Sequence, residues 1–228
     1  MTLEERITTL VDWMEAAGKT VVFTGAGIST DSGLPDFRGP DGVWTRRDKG
    51  LPAHEERDWT DSSPNVAHHA TVELQTLGKL DFLVSQNVDN LHLKSGIDPE
   101  RLAELHGNLA LDRCVRCERT YPKGKRDGCE CNGALKSSIV GFGDSLPIAD
   151  IEASFNRSEA CDLMIVIGSS LVVTPAADVP LAAKSEGARL VIINKGETPL
   201  DTLCDLRFDE SIGDVWPVAV EQLRGRLI

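Results

Sequence analysis

The sequence is poor in aromatic residues, which make up 5% of its 228 positions and include a single tyrosine, Tyr121. No apolar run approaches the roughly 18 residues that would cross a bilayer, so no transmembrane helix is expected. Positive charge is in deficit: Lys and Arg number 24 against 36 Asp and Glu, a formal net charge of −12. Such a surface repels phosphate backbones at long range, which argues against DNA or RNA as the main ligand. An anionic cofactor stays allowed, because a pocket can be locally positive. The N-terminal stretch MTLEERITTLVDWMEAAGKT lacks the basic start, apolar middle and small-residue cleavage site of a secretory leader. The expected location is therefore the cytoplasm. No internal repeat or low-complexity linker is present. With 41% hydrophobic and 26% charged residues, the chain has the makings of one full core, in one domain that carries a smaller insert.

Cysteine is scarce outside one segment. Cys161 and Cys204 stand alone beside apolar residues and read as small buried hydrophobes. The other four, Cys114, Cys117, Cys129 and Cys131, lie close together. A secreted disulfide scaffold would spread its cysteines through a shorter chain. In a reducing cytosol a tight cluster reads as a metal site. Cys114-x-x-Cys117 is a zinc knuckle, and Cys129-x-Cys131 is one residue tighter than the common spacing. Four thiolates predict a closed, structural Zn2+ site, with a redox disulfide as the alternative. A catalytic zinc would call for His or carboxylate ligands and an open position.

Leu3, Ile7, Leu10, Val11 and Met14 recur at spacings of three and four, which predicts a helix over 3–17 with Thr2 as its N-cap and Gly18 as its stop. Short apolar runs predict strands at 20–23, 81–85, 137–140, 161–167 and 189–194. Helical patterns cover 66–78, 175–186 and 213–225. Residues 31–65 are rich in Gly and Pro and read as an ordered loop with at most short helices. This alternation predicts an α/β fold with a parallel sheet. The 31–74 region and the cysteine segment interrupt it and belong to a smaller inserted unit. Ligands of such sheets bind outside the carboxyl ends of the strands.

Chemistry-bearing motifs fall near those strand ends. In VVFTGAGIST, a buried strand runs into Gly25-Ala26-Gly27, a turn in which backbone N–H groups can approach phosphate oxygens. The turn lacks the third glycine of the usual dinucleotide fingerprint, and there is no P-loop Lys. Asp36, Phe37 and Arg38 follow a proline in a loop. Arg38 can pair with a pyrophosphate and Phe37 can cover a ring; the plain alternative is an Asp36–Arg38 pair closing the turn. Gln86, Asn87 and Asp89 end the second strand and offer groups for an amide, a ribose or a water. His92 reads as structural, as do His54, His68 and His69. His106, between Leu105 and Gly107, can accept a proton at neutral pH. Gly168, Ser169 and Ser170 follow the most apolar strand, and Asn194 follows the next. Together these ends predict a nucleotide crevice.

Taken in order, the segments GAGIS, SGLPDFRG, QNVDNLH, HGN, the Cys pairs, VGFGD, GSSLVVTPAA and the Asn-x-x-x-Thr of 194–198 resemble the sirtuin family of NAD-dependent protein deacylases. The resemblance spans residues 5–220, and GPDGVWT, LAELHGN and GDSLP look most like the class IV branch. It implies a Rossmann-like NAD-binding domain at 1–30, 75–106 and 140–228. A small domain at 31–74 and 107–139 would carry a helical/loop module and the zinc module. It also implies that Gly25, Ala26, Gly27, Thr30, Asp36, Phe37, Arg38 and Trp44 line the NAD+ site. Gln86, Asn87 and Asp89 would form the nicotinamide and ribose pocket, and Gly168, Ser169, Ser170, Asn194, Gly196 and Ile212 the adenosine side. His106 would be the general base, with Asn87 and Asp89 placing the ribose and a water. Val140, Gly141, Phe142 and Gly143 would pair as a strand with an acyl-lysine peptide.

The implied products are nicotinamide, O-acyl-ADP-ribose and free lysine. Mono-ADP-ribosyl transfer and non-catalytic NAD or ADP-ribose sensing are the competing readings. Two departures stand out: Asn90 occupies a position where Gly is frequent, and Phe142-Gly143-Asp144 replaces the common Phe-Gly-Glu. The absence of a Tyr-x-x-Arg pair implies a neutral acyl group, acetyl or a longer fatty chain. A monomer is expected.

Overall fold

The computed structural model describes residues 1–55, 58–141 and 143–228. In chain order its helices are α1 (Leu3–Ala16), α2 (Val43–Asp48), α3 (Val66–Thr76), α4 (Leu91–Ser95), α5 (Ile148–Glu159), α6 (Asp178–Ser185) and α7 (Ile212–Leu227). The strands are β1 (Thr20–Thr24), β2 (Phe82–Ser85), β3 (Leu102–Glu104), β4 (Leu111–Cys114), β5 (Thr120–Pro122), β6 (Leu135–Ser137), β7 (Leu163–Ile167), β8 (Arg189–Ile193) and β9 (Leu206–Phe208). Phe142, expected on the substrate strand, lies outside the described residues.

Two sheets form. The larger has the order β3-β2-β1-β7-β8-β9, and every neighbouring pair in it is parallel. Parallel sheets are covered on both faces, so their strands read as continuous apolar runs. β1 (TVVFT) and β7 (LMIVI) are buried at every position. Side chains alternate between two cores. Val22, Ile165, Ile167, Val191 and Ile193 face α1, α3 and α7, where Leu10, Met14, Leu74, Trp216 and Leu223 pack. Val21, Phe23, Met164, Val166, Leu190 and Ile192 face the other side, with Val179 and Ala183 of α6 and Ile151 and Phe155 of α5. The smaller sheet, β5-β4-β6, is antiparallel and carries the cysteines.

α1 is closed by a full capping box, in which the Thr2 hydroxyl accepts from the Glu5 amide and the Glu5 carboxylate from the Thr2 amide. The short β run expected at 137–140 is instead β6, ending at Ser137. Helix α5 and strands β3 and β9 were not legible. α5's two fully buried positions are Ser154 and Ser158, which interrupt the apolar stripe that would have marked it. β3 and β9 have three residues each, too short for a periodicity to register.

The strand order reverses at β1. The chain moves out through β2 and β3, then returns to place β7 on β1's other side. Such a reversal opens a crevice at the carboxyl ends of β1 and β7. There the Gly25 amide donates to the Ile167 carbonyl (3.0 Å), and the Gly27 amide to the Gly168 carbonyl (2.9 Å). A Cβ on Gly168 (φ +66°) would lie 2.4 Å from the Ile28 nitrogen. Gly168→Ala is therefore expected to destabilise the fold by about 1–3 kcal/mol through backbone strain alone, with the clash adding more. Denaturant melts of the two proteins measure this; an unchanged midpoint would contradict the packing described.

Beneath that crevice two imidazoles are buried together. The His68 and His92 rings lie 5.0 Å apart between centroids. His92 Nε2 meets the Thr24 hydroxyl at 2.9 Å, and Thr24 Oγ1 donates to Ser85 Oγ. Burial, with each ring's charge repelled by a neighbouring histidine, holds both pKa values below the ordinary 6.5, His68 at about 4 and His92 well below. The unfolded chain thus binds these protons first, and stability falls as the pH drops from about 6.5 towards 4. For His68 the loss amounts to about 3 kcal/mol. His68→Gln is expected to narrow the difference in melting temperature between pH 7.5 and pH 5.

Candidate active site

The crevice is a cavity of about 890 Å3 lined by the loops after β1, β2, β3, β7 and β8. Its floor is the glycine turn. A Cβ on Gly25 would lie 2.7 Å from the Gly168 oxygen, and one on Gly27 2.7 Å from Gly168 Cα. These glycines let two loops pack backbone against backbone, a reason distinct from the phosphate approach that the motif suggested. The following two-turn 3-10 helix, Ala26–Ser32, buries Ser29.

Ser29 was not singled out in the sequence, yet it is central. Its hydroxyl donates to Asp89 Oδ2 (2.6 Å) and accepts from Asn87 Nδ2 (3.1 Å). Its burial depends on a contact across 58 and 60 positions of chain, which no local pattern announces. Asp89 Oδ1 accepts from the Leu91 amide (2.9 Å). Burial raises the Asp89 pKa, while the Ser29 and Leu91 hydrogen bonds oppose the rise. The Asn87 amide nitrogen of the backbone donates to Ser85 Oγ. Asn87 Oδ1 is buried and has no hydrogen-bond partner among the described residues. A buried amide oxygen without a donor is costly, so this atom marks where a donor from a bound group belongs.

His106 is held differently. Its Nδ1 lies 2.9 Å from the Gln86 carbonyl oxygen, which can only accept. The proton therefore sits on Nδ1, and Nε2 is the basic nitrogen. Burial lowers the His106 pKa, with the carbonyl bond opposing, so the ring is neutral at physiological pH. Gln86 is oriented in turn, because its Oε1 accepts from Ser169 Oγ at 2.6 Å. The Gln86 amide NH2 is left to donate.

On the opposite wall the Arg38 guanidinium stacks 4.1 Å from the Trp44 ring centroid, and Phe37 packs on Trp44 with centroids 5.2 Å apart. The Asp36–Arg38 pair considered from sequence does not form. Asp36 Oδ1 accepts from the Gly39 amide (2.9 Å) and closes the turn on backbone. Arg38 has no carboxylate partner among the described residues, and partial burial lowers its pKa. An exposed cation on the cavity lining, with no carboxylate partner among the described residues, is a place for an anion.

Ala26, Ser170, Asn194, Gly196, Val140, Gly141 and Gly143 also border the cavity. Asn194 Nδ2 donates to the Gly196 carbonyl (2.9 Å). Thr30 and Ile212 do not border it. Thr30 lines an adjoining cavity with its hydroxyl on the Gly27 carbonyl, and Ile212 packs against the core. Asn90, where Gly is frequent, has φ +66°, a left-handed conformation that Asn tolerates better than most residues.

The four cysteine sulfurs lie within 4.8 Å of one another. Cys114 and Cys131 are 3.5 Å apart, Cys117 and Cys129 3.5 Å, and Cys117 and Cys131 3.4 Å. Zn–S bonds of about 2.3 Å in a tetrahedron need S–S edges of about 3.8 Å, so small shifts seat the ion. The Arg116 amide already points at Cys114 Sγ (3.4 Å). A Cβ on Gly133 would lie 2.5 Å from Cys114 Sγ and 3.3 Å from Cys131 Sγ, so the loop closes around the sulfurs only with glycine there. The donor set fits a structural zinc.

A doubly wound α/β sheet with a crevice at its reversal point, a buried base and a four-thiolate module defines a nucleotide-binding class of protein. Comparison identifies the family. The Sir2 family model matches residues 50–175. "NAD-dependent protein deacetylase 1" of Bradyrhizobium diazoefficiens is 41% identical over 229 residues, covering 88% of this chain and 90% of the relative. A Sir2 structure with p53 peptide and NAD+ superposes with a TM-score of 0.77 at 33% identity, covering 99% and 100% of the two chains. A second, with deacetylated p53 peptide and 3′-O-acetyl ADP-ribose, gives 0.77 at 32% identity, covering 95% and 97%. The chain belongs to the Sir2 family.

The metal fit yields its own expectation. The purified protein should contain about one zinc per chain, and a chelator should lower its melting temperature by unfolding β4–β6. Elemental analysis and thermal melts with and without chelator measure both. Metal-free protein with an unchanged melt would remove the ion from the account.

Proposed function

We propose that this protein is an NAD-dependent protein-lysine deacylase, converting NAD+, acyl-lysine and water into nicotinamide, O-acyl-ADP-ribose and free lysine. The observation that carries this reading is His106, whose Nδ1 is clamped on the Gln86 carbonyl and whose basic Nε2 sits in a cavity shared with Asn87 and Asp89. Bound NAD+ supplies an electrophilic anomeric carbon when nicotinamide leaves. Arg38, without a carboxylate partner among the described residues, would hold the pyrophosphate charge, with Phe37 and Trp44 walling that side. Asn87 Oδ1 takes a donor from the ribose or a water, and the Gln86 amide donates beside it. Asp89 keeps Ser29 and Asn87 in place. His106 Nε2 takes a proton from a hydroxyl of the bound ribose, which a neutral imidazole does readily at pH 7.

The acyl-lysine peptide pairs along 140–143, with Phe142 assigned there by motif alone. The Val140 amide is already held by the His106 carbonyl at 3.0 Å, so substrate strand and base are coupled. Ile139, Val140, Val172 and Val173 give the cavity apolar walls, which suit a neutral acyl chain, acetyl or longer. The GPDGVWT, LAELHGN and GDSLP segments support placement in the class IV branch. The residue ranges of the large and small domains given above, with cytoplasmic location, complete the reading. The solved relatives carry a p53 peptide, NAD+ and acetylated ADP-ribose, which is the reaction class proposed for this chain.

The test is to incubate the protein with acetyl-lysine and myristoyl-lysine peptides, with and without NAD+, and to follow products by mass spectrometry. NAD-dependent acyl loss with O-acyl-ADP-ribose is expected, and the two peptides rank chain length. His106→Ala should lower turnover by at least about 10²-fold while ADP-ribose binding changes little. ADP-ribose left on protein without acyl loss would replace deacylation by transfer; nucleotide binding with neither outcome would leave a sensor.

A further inference from the structure

His106 stands two residues beyond β3, one of the two three-residue edge strands of the large sheet. β3 has three residues, lies at the sheet edge, and pairs on one side only, with β2. Position 107 turns sharply, with φ +80° and no room for a Cβ, which would lie 1.9 Å from the Ser138 oxygen. A short edge strand followed by a glycine turn does not by itself fix a catalytic ring. Something else must hold it.

The side chain of Asn108 is the hub that does so. It is 1% exposed and every polar group on it is used. One Nδ2 hydrogen goes to Asn90 Oδ1 (2.9 Å) and the other to Glu104 Oε1 (2.7 Å). Its Oδ1 accepts from the Ala110 amide (2.8 Å). The Asn108 backbone amide donates to Ser138 Oγ (2.9 Å), and Ser138 Oγ donates back to the Asn108 carbonyl (2.7 Å). Three segments therefore meet at this residue: the loop with Asn87, Asp89 and Asn90, the loop with His106, and the approach to the 140–143 strand. Asn108 can hold all three only if its second hydrogen has an acceptor, and Glu104 supplies it from inside the strand that carries His106.

Resting on the deacylase reading for what His106 does, we propose that Glu104 is a positioning residue for the base. Its carboxyl oxygen locks the Asn108 amide, which ties the His106, Asp89–Asn90 and Ser138–Val140 segments into one geometry. Burial pushes the Glu104 carboxyl up to about 7, with the Asn108 bond and Arg113 opposing and the Asp150 and Asp89 carboxylates adding to the rise. Near neutral pH the group is thus partly protonated and still presents an oxygen to Asn108. A glutamine side chain copies that state closely: same length, one oxygen acceptor, no charge. Methionine keeps the length and removes the acceptor.

The experiment compares Glu104→Met and Glu104→Gln with the parent protein by two readouts. The first is backbone hydrogen exchange at Leu109 and Val140, whose amides bond to the Val88 and His106 carbonyls. The second is kcat and KM for deacylation. Glu104→Met is expected to speed exchange at both amides by about tenfold or more, with the β7 and β8 amides still protected. It should lower kcat by about tenfold or more while KM for NAD+ moves by less than about threefold. Glu104→Gln should restore both to within about threefold of the parent. Methionine without effect on exchange, or glutamine as damaging as methionine, overturns the proposal. So does methionine that loosens β7 and β8 equally, because the role is then general stability. If the parent protein has no deacylase activity, the function reading fails, and the exchange arm alone decides whether Glu104 holds the three segments.

Discussion

The structure depends on one close approach, between the backbones of Gly25, Gly27 and Gly168. β1 and β7 run side by side with every residue buried, so their carboxyl ends emerge together. The loops leaving them then compete for the same space. With a Cβ at any of the three positions, contacts of 2.4 to 2.7 Å would push the loops apart. Glycine at all three lets the turn after β1 lie flat on the loop after β7. That contact sets the path of the next residues, which drops Ser29 into the protein against Asn87 and Asp89. The crevice floor, its depth and the orientation of the polar cluster all follow from it.

Burial then sorts the polar groups of the site into two kinds. Most are tied to each other: Ser29 to Asp89 and Asn87, Ser169 to Gln86, Asp36 to Gly39, Asn108 to three partners. These bonds cost nothing further when a ligand arrives and hold the site rigid beforehand. A few atoms are left over, namely Asn87 Oδ1, His106 Nε2 and the Arg38 guanidinium. An acceptor, a base and a cation, held in one cavity and unspent, are the groups through which chemistry can act. Burial also favours the neutral form of His106, so its imidazole can accept a proton without a partner carboxylate.

The sequence made the chemical groups legible and left their arrangement obscure. Gly-x-Gly after a strand, the polar end of the second strand, the lone histidine before a glycine and the paired cysteines are local patterns; the first two landed on the strand ends expected, while the histidine follows β3, a strand that was not expected. What failed to register depends on contacts distant in the chain. Ser29 is one serine among many until Asp89 is folded onto it. α5 hid because serines occupy its buried face. The expected role of the glycines, approach to phosphate, was only part of their reason, since Gly168 lies more than 140 positions from Gly25. Thr30 and Ile212 sit near the right motifs but do not border the cavity, which a motif alone does not disclose.

The small sheet has a geometric task beyond holding zinc. β4 begins just past His106 and Asn108, and β6 ends at Ser137, next to the Ser138 that bonds Asn108. The whole excursion from 109 to 137 thus leaves and returns at one point. A loop of that length would return to a range of places, and its closure would carry a large entropic cost. The three-stranded pairing and the four sulfurs draw the excursion shut, while Arg113 binds Asp150 at 3.1 Å and anchors it to α5. The 138–141 segment then arrives beside His106 with its Val140 amide on the His106 carbonyl. In this arrangement the metal site acts at a distance, by deciding where the strand that would receive the substrate re-enters the crevice relative to the base.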